Sequence, residues 1–366
     1  MQDFHLELPI NNLSFGNCSV NILKEIFKRN LSPTISLIGE KADFSAFEGR
    51  IAPEFFEWVK QRCYSFNSKH KRSNPTFKLW HINGSLSSPS KDQTLLTFYE
   101  LDSPTSSEIN IIKNQKTALV SSSYTKSVFE SHGCANVRYC PLGFDSESFH
   151  KKETNRKDEE KVVFGLVGKL EKRKQHHKVL SAWAKKFGNN PKYMLNCAIK
   201  NSFLSDEQNQ ATLNQVLGGN SYFNINFLNY MPSNNLYNDY LNSNDIIIGM
   251  SAGEGWGLPE FQSLCLGKHG VILNAHAYKD WANSENSVLV NSNGKIPCYD
   301  GFFFNPGTEF NQGNYFDWDE DEFISACEEA ESRFKNNKIN IAGEELSKKF
   351  TWSNTTDIIL DSLLNN

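Results

Sequence analysis

The stretch from Ser251 to Gly270, SAGEGWGLPEFQSLCLGKHG, holds the residues whose types and spacing best suit chemistry. Gly253, Gly255 and Gly257 alternate in a turn that follows the apolar run Ile246 to Met250, and Pro259 then opens a helical pattern that stops at Gly267. Proline in the first helical turn and glycine just past the end are expected helix punctuation. The order strand, glycine turn, helix N-terminus aims free backbone N–H groups and the positive end of a helix dipole at a small pocket. Glu254 places a carboxylate in the mouth of that turn. Such a pocket suits an anionic, hydroxyl-rich ligand such as a nucleotide-sugar. The plainer reading of Glu254 is a cap for the helix that follows.

A basic cluster, Lys169, Arg173 and Lys174, follows the apolar strand that ends at Val167. Paired cations there can neutralise a diphosphate and stabilise it as a leaving group. Taken alone, KLEKRK also reads as a solvated charge run. His176 and His177 are expected to face solvent at a helix start. LWHINGS (residues 79–85) and TFYELDSPT (residues 97–105) end strands and offer His81, Tyr99, Glu100 and Asp102 as candidates for binding an acceptor. His81 reads equally well as a hydrogen-bonded core histidine. A carboxylate directly after an apolar strand, as at Glu100, is costly unless it faces a cleft or a partner. Asp317-Trp318-Asp319 has the DxD form that can hold a divalent metal, but it lies just before a helix, where acids cap and complement the dipole. The eight cysteines are scattered without CxxC or Cys/His metal spacing, so no metal site is expected.

Positioning these residues takes two α/β units, for which a chain of 366 residues is long enough. Strand-like and helix-like segments alternate up to about residue 150, which predicts a mostly parallel, doubly wound sheet. KKETNRKDEEK (residues 151–161) has no apolar periodicity and reads as a linker. The alternation restarts at Val162 and runs to about residue 345, and residues 346–366 read as a closing C-terminal helix. Two such Rossmann-like domains, 1–150 and 162–345, face each other across a cleft, and clefts at the C-terminal ends of strands are where these sheets bind ligands. A net charge of −4 argues against DNA binding through a broad basic surface. The N-terminus lacks a secretory pattern and no window reaches the length of a membrane span, which predicts a cytoplasmic protein with reduced thiols.

Three blocks give the chain a family resemblance. EGWGLPEFQSLCLGKHGVI resembles the E-G-F-G-L-P-x-x-E signature of retaining family 4 glycosyltransferases of the GT-B fold. GLVGKLEKRKQHHKVLSAW resembles their G-[RK]-x-x-x-x-K-G block, and SSSYTKSVFESHGCANVRYCPLGFD the segment that ends their N-terminal domain. The blocks lie in the family's order and, with the two-domain pattern, cover most of the chain.

The resemblance implies transfer of a sugar from a nucleoside diphosphate sugar to a hydroxyl acceptor, with retention and without an essential metal or other cofactor. The leaving phosphate would take most of the acceptor's proton. Glu254 matches the glutamate that contacts the donor sugar. Gly255, Trp256, Gly257 and Leu258 continue that donor-binding motif. Gln262 stands where the family has a second glutamate on the ribose, and can still hydrogen-bond hydroxyls. Lys169 takes the place of the family's common arginine, Lys174 matches its lysine, and Arg173 is a further diphosphate donor. Gly16, in a loop after the first strand, would approach the donor phosphate. Tyr99 stands where a histidine is common, two residues after Thr97. The acceptor is unidentified: a polysaccharide, a lipid-linked glycan, a protein or a modified nucleic-acid base, with peripheral membrane contact compatible. A non-catalytic sugar-nucleotide or glycan-binding protein, or another GT-B enzyme such as an epimerase or phosphorylase, are the alternatives.

Overall fold

A computed structural model describes residues 3–153, 160–301 and 303–365. Strands β1 (His5–Leu8), β2 (Thr34–Leu37), β3 (Thr76–Leu79), β4 (Gln93–Thr97), β5 (Thr117–Val120) and β6 (Val137–Tyr139) form a parallel sheet in the order β2-β1-β3-β4-β5-β6. Strands β7 (Val162–Val167), β8 (Tyr193–Ala198), β9 (Ile225–Phe227), β10 (Ile246–Gly249), β11 (His269–Asn274), β12 (Val288–Pro297) and β13 (Asn314–Trp318) form the second, ordered β13-β12-β11-β10-β7-β8-β9. Only the β12–β13 pairing of that sheet is antiparallel. Parallel sheets need both faces covered, which is why β5, β7 and β10 are apolar runs buried along their whole length.

Of the expected linker, residues 154–159 lie outside the described residues. Lys152 is fixed by its N–H to Asn242 at 2.9 Å and Lys151 by Glu344. The chain then crosses back at its end. The helix Trp352–Leu364 packs on the first sheet, with Thr355 donating to the carbonyl of Pro141 at 2.7 Å and Asp361 pairing with Arg138 at 2.9 Å.

One local expectation fails. The segment Ser14-Phe15-Gly16-Asn17 is no loop: the helix Ser14–Lys28 begins there, and the space a Gly16 side chain would need is filled by the backbone of Asn11. Strand β12 runs on to Pro297, and β13 returns antiparallel to it. This hairpin belongs to the second sheet, yet it docks on the first domain. Cys298, Phe304 and Tyr315 share a buried cluster with Tyr99, Leu101 and Ile82. Asp102 accepts from the Asn314 N–H at 2.8 Å and pairs with Lys295 at 2.8 Å. Among the described residues no helix is long and apolar enough to cross a membrane.

Candidate active site

In the second sheet β7 and β10 are neighbours, while the chain leaves β7 toward β8 on one side and β10 toward β11 on the other. That makes a topological switch point, the place at which open α/β sheets commonly bind ligands. The two loops are residues 168–175 and 250–257, the two that carry the basic cluster and the glycine turn. They are stitched together by the Ala252 N–H donating to the carbonyl of Arg173 at 2.8 Å.

The side chains converge there. Arg173 Nη1 lies 3.2 Å from Glu254 Oε1 and donates to the carbonyl of Gly253, and Nη2 lies 2.7 Å from Glu171 Oε1. Lys174 pairs with the same oxygen of Glu254. Across the domains, Arg173 Nη1 is 3.2 Å from Glu100 Oε1. The glycine turn makes this approach possible. A Cβ on Gly253 would strike the Glu100 carbonyl, and one on Gly255 would lie 2.7 Å from Phe98 Cβ. Ser121 Oγ then donates to the Gly255 carbonyl at 2.6 Å. Gly257, at φ +82°, turns the chain into the helix Leu258–Cys265 in a conformation that side chains with a Cβ rarely take.

Charge and burial set the proton affinities. Burial pushes Glu254 up, but Lys174 and Arg173 outweigh it and hold its carboxyl at about 2. Burial raises Glu260 to about 7, with Glu254 adding to the rise and Lys174 opposing it. The buried carboxyl lies beside the Tyr278 hydroxyl, and the side chain fits only because Gly249 is bare: a Cβ there would lie 2.8 Å from Glu260 Cγ. His176 corrects the expectation of a solvent-facing residue. It is buried, and burial together with Lys174 lowers it to about 3, while His177 is exposed.

Arg173, Lys174, Glu254, Gly255 and Gly257 are therefore brought together, with Glu100 added from the other domain. Gln262 is also buried, in the helix that starts at the turn. Other candidates go elsewhere. Trp256 turns into the core, its ring 5.4 Å from Phe261 and 5.2 Å from Phe350. Leu258, half-buried, packs against the same core. Lys169 stays at the exposed rim of the cluster, its ammonium 3.7 Å from Glu171 Oε2 and 5.1 Å from the Phe203 ring. Tyr99 is buried against Phe129 at 5.0 Å, and Asp102 is spent on the hairpin. His81 is exposed beside Phe15, ring centroids 4.5 Å apart, so it is not a core histidine. Asp319 caps the helix Glu320–Asn336, and Asp317 pairs with Lys178 at 2.7 Å, which fits the capping reading of the DxD triplet. Glu171 was hidden in the charge run: its alternation with Lys172 and Arg173 gave no sign that it is buried with Arg173. Among the described residues no group of three or more His, Cys, Asp or Glu is placed to hold a metal.

No family model and no curated protein matches the chain. Solved structures do. Sucrose-phosphate synthase from Thermosynechococcus elongatus aligns at TM-score 0.66 and 12% identity, over 98% of this chain and 97% of that one. Anabaena HepE in complex with UDP and glucose aligns at TM-score 0.68 and 13% identity over 100% of both chains. A UDP-forming trehalose-phosphate synthase from Burkholderia xenovorans aligns at TM-score 0.65 and 11% identity, over 100% of this chain and 99% of that one. The chain has the GT-B fold.

Proposed function

We propose that this GT-B protein transfers a sugar from a nucleoside diphosphate sugar to the hydroxyl of an acceptor, with retention and without a metal or other cofactor. One observation carries the reading. Arg173 and Lys174 are buried together at the switch point, under a glycine turn that holds Glu254 against both. Two buried cations suit a departing diphosphate, and a carboxylate beside them suits the hydroxyls of the attached sugar. The resemblance of the three sequence blocks supports the same reading, and the HepE structures hold UDP, UDP and glucose, and UDP-glucose.

In this reading the domain at 162–345 binds the nucleotide-sugar and the domain at 1–150 brings the acceptor. Gln262 serves the ribose from the first turns of its helix. Closure excludes water that would otherwise hydrolyse the donor. The eight cysteines are free, which fits a cytoplasmic setting.

The test is a thermal-shift panel of nucleoside diphosphates and their sugars on the full chain, followed by turnover of whichever donor stabilises it. A ligand that binds only the folded state raises the melting temperature. A panel that leaves it unmoved defeats the reading. A chelator should leave turnover unchanged, and activity restored only by manganese or magnesium would defeat the metal-free part. An inverted product anomer would defeat the retaining part.

A further inference from the structure

The Arg173 cluster is crowded with acid. Glu100, Glu171 and Glu254 all touch one guanidinium. Their exposures differ. The side chains of Arg173, Lys174, Glu171 and Glu254 are 7–8% exposed, whereas that of Glu100 is 29% exposed. Glu100 is also the one of the three carboxylates that comes from the first domain, on the loop after β4. It is therefore partly open to solvent, on the domain to which the acceptor is assigned, while it touches the cation assigned to the diphosphate.

We propose that Glu100 is a catalytic residue, the base that takes the proton of the acceptor hydroxyl, and that Arg173 holds it in reserve until the donor's diphosphate claims the guanidinium. This rests on the transferase reading above and departs from the expectation that the leaving phosphate does this work. The geometry is consistent with retention. An acceptor that attacks on the same face as the leaving diphosphate must come up beside the diphosphate's cations, and Glu100 is there. In the step, the acceptor oxygen bonds to the sugar's anomeric carbon and its proton passes to a Glu100 oxygen. The bond from that carbon to the phosphate oxygen breaks, its electron pair leaving with the diphosphate on Arg173 and Lys174. Glu100 then releases the proton to solvent through its exposed side. Arg173, Lys174, Glu171, Glu254 and Tyr315 are the charged and titratable groups that act on it. Its partial burial raises its carboxyl to about 7 against the pull of Arg173, with Glu254 and Glu171 adding to the rise. Diphosphate on Arg173 would remove that pull and strengthen the base.

The experiment uses water as acceptor, so no acceptor need be known. Release of nucleoside diphosphate is followed from the panel nucleotide-sugar that the wild type hydrolyses fastest, over pH 5–9, for wild type, Glu100→Gln and Glu100→Asp. Glu100→Gln should cut kcat by about 100-fold or more, the usual contribution of a general base. It should also lose the acid limb of the kcat profile and bind the free nucleoside diphosphate at least as tightly as wild type. Glu100→Asp should recover part of kcat. Turnover of Glu100→Gln within about threefold of wild type, or a fall in turnover matched by a fall in diphosphate affinity, overturns this assignment and leaves the transferase reading standing. A wild type that neither binds nor hydrolyses any of the panel ends both.

Discussion

Arg173 of the second domain and Glu100 of the first meet at 3.2 Å, and the same Nη1 lies 3.2 Å from Glu254. The two domains are thus joined through the side chain assigned to the donor's diphosphate. Donor binding must therefore rearrange a domain contact as well as fill a pocket, and several outcomes follow from the charges involved.

Glu254→Gln keeps the side chain's size and removes its charge. If the carboxylate's hydrogen bonds to the sugar tighten in the transition state, kcat/KM falls about ten-fold to a thousand-fold, roughly 1.4–4 kcal/mol. Affinity for free nucleoside diphosphate should not fall, because the change frees Arg173 and Lys174 of one competing anion. A variant that turns over normally would remove Glu254 from the sugar site.

Lys174→Met should weaken nucleoside diphosphate binding by roughly 1.5–3 kcal/mol, the loss of one charged hydrogen bond. It should also destabilise the protein, by about 3–5 kcal/mol if the buried Glu254 is left underpaired. Calorimetric titration and denaturant unfolding on the same sample check both. Unchanged diphosphate affinity in a folded variant would take Lys174 out of the site.

Glu260→Gln should stabilise the protein at high pH and not at low pH. The carboxyl is raised from an ordinary 4.5 to about 7 in the fold. A raised acid contributes its full stability below the unfolded value and loses it as pH rises through the folded one, so the wild type pays this cost above pH 7. The glutamine variant should gain on the order of 3 kcal/mol by pH 8 and nothing near pH 4. Melting curves across that range decide it, and a variant less stable at pH 8 would show that the Glu260 charge is needed.

Asp102→Ala should loosen the hairpin. It removes the acceptor of the Asn314 N–H and the partner of Lys295, so the contact between β12–β13 and the first domain weakens. Loss of a hydrogen-bonded charge of this kind costs roughly 1.5–3 kcal/mol. Limited proteolysis should cut the 298–313 segment faster in the variant, and equal cutting rates would show that Asp102 does not hold it.

The sequence by itself determined the strand, glycine turn and helix at residues 246–265, because each is written in local signals: an apolar run, alternate glycines, a proline and a stop. It also determined the alternation of strands and helices, and with it two doubly wound sheets. The order of strands is not local, and only the tertiary structure made β7 and β10 neighbours and so set KLEKRK beside the glycine turn. Side-chain direction was equally out of reach. In this motif Glu254 faces the cations while Trp256, two residues on, turns inward onto Phe261 and Phe350, because the turn follows no helical or strand period. Lys169 and Lys174 belong to one charge run, yet the first stays at the exposed rim beside Glu171 and Phe203 and the second is buried against Glu254. Glu100 and Arg173 are far apart in the chain, and no pattern in either segment refers to the other. Their contact exists because glycines at 253 and 255 let two backbones approach closely, a matter of packing between domains that a linear reading cannot supply.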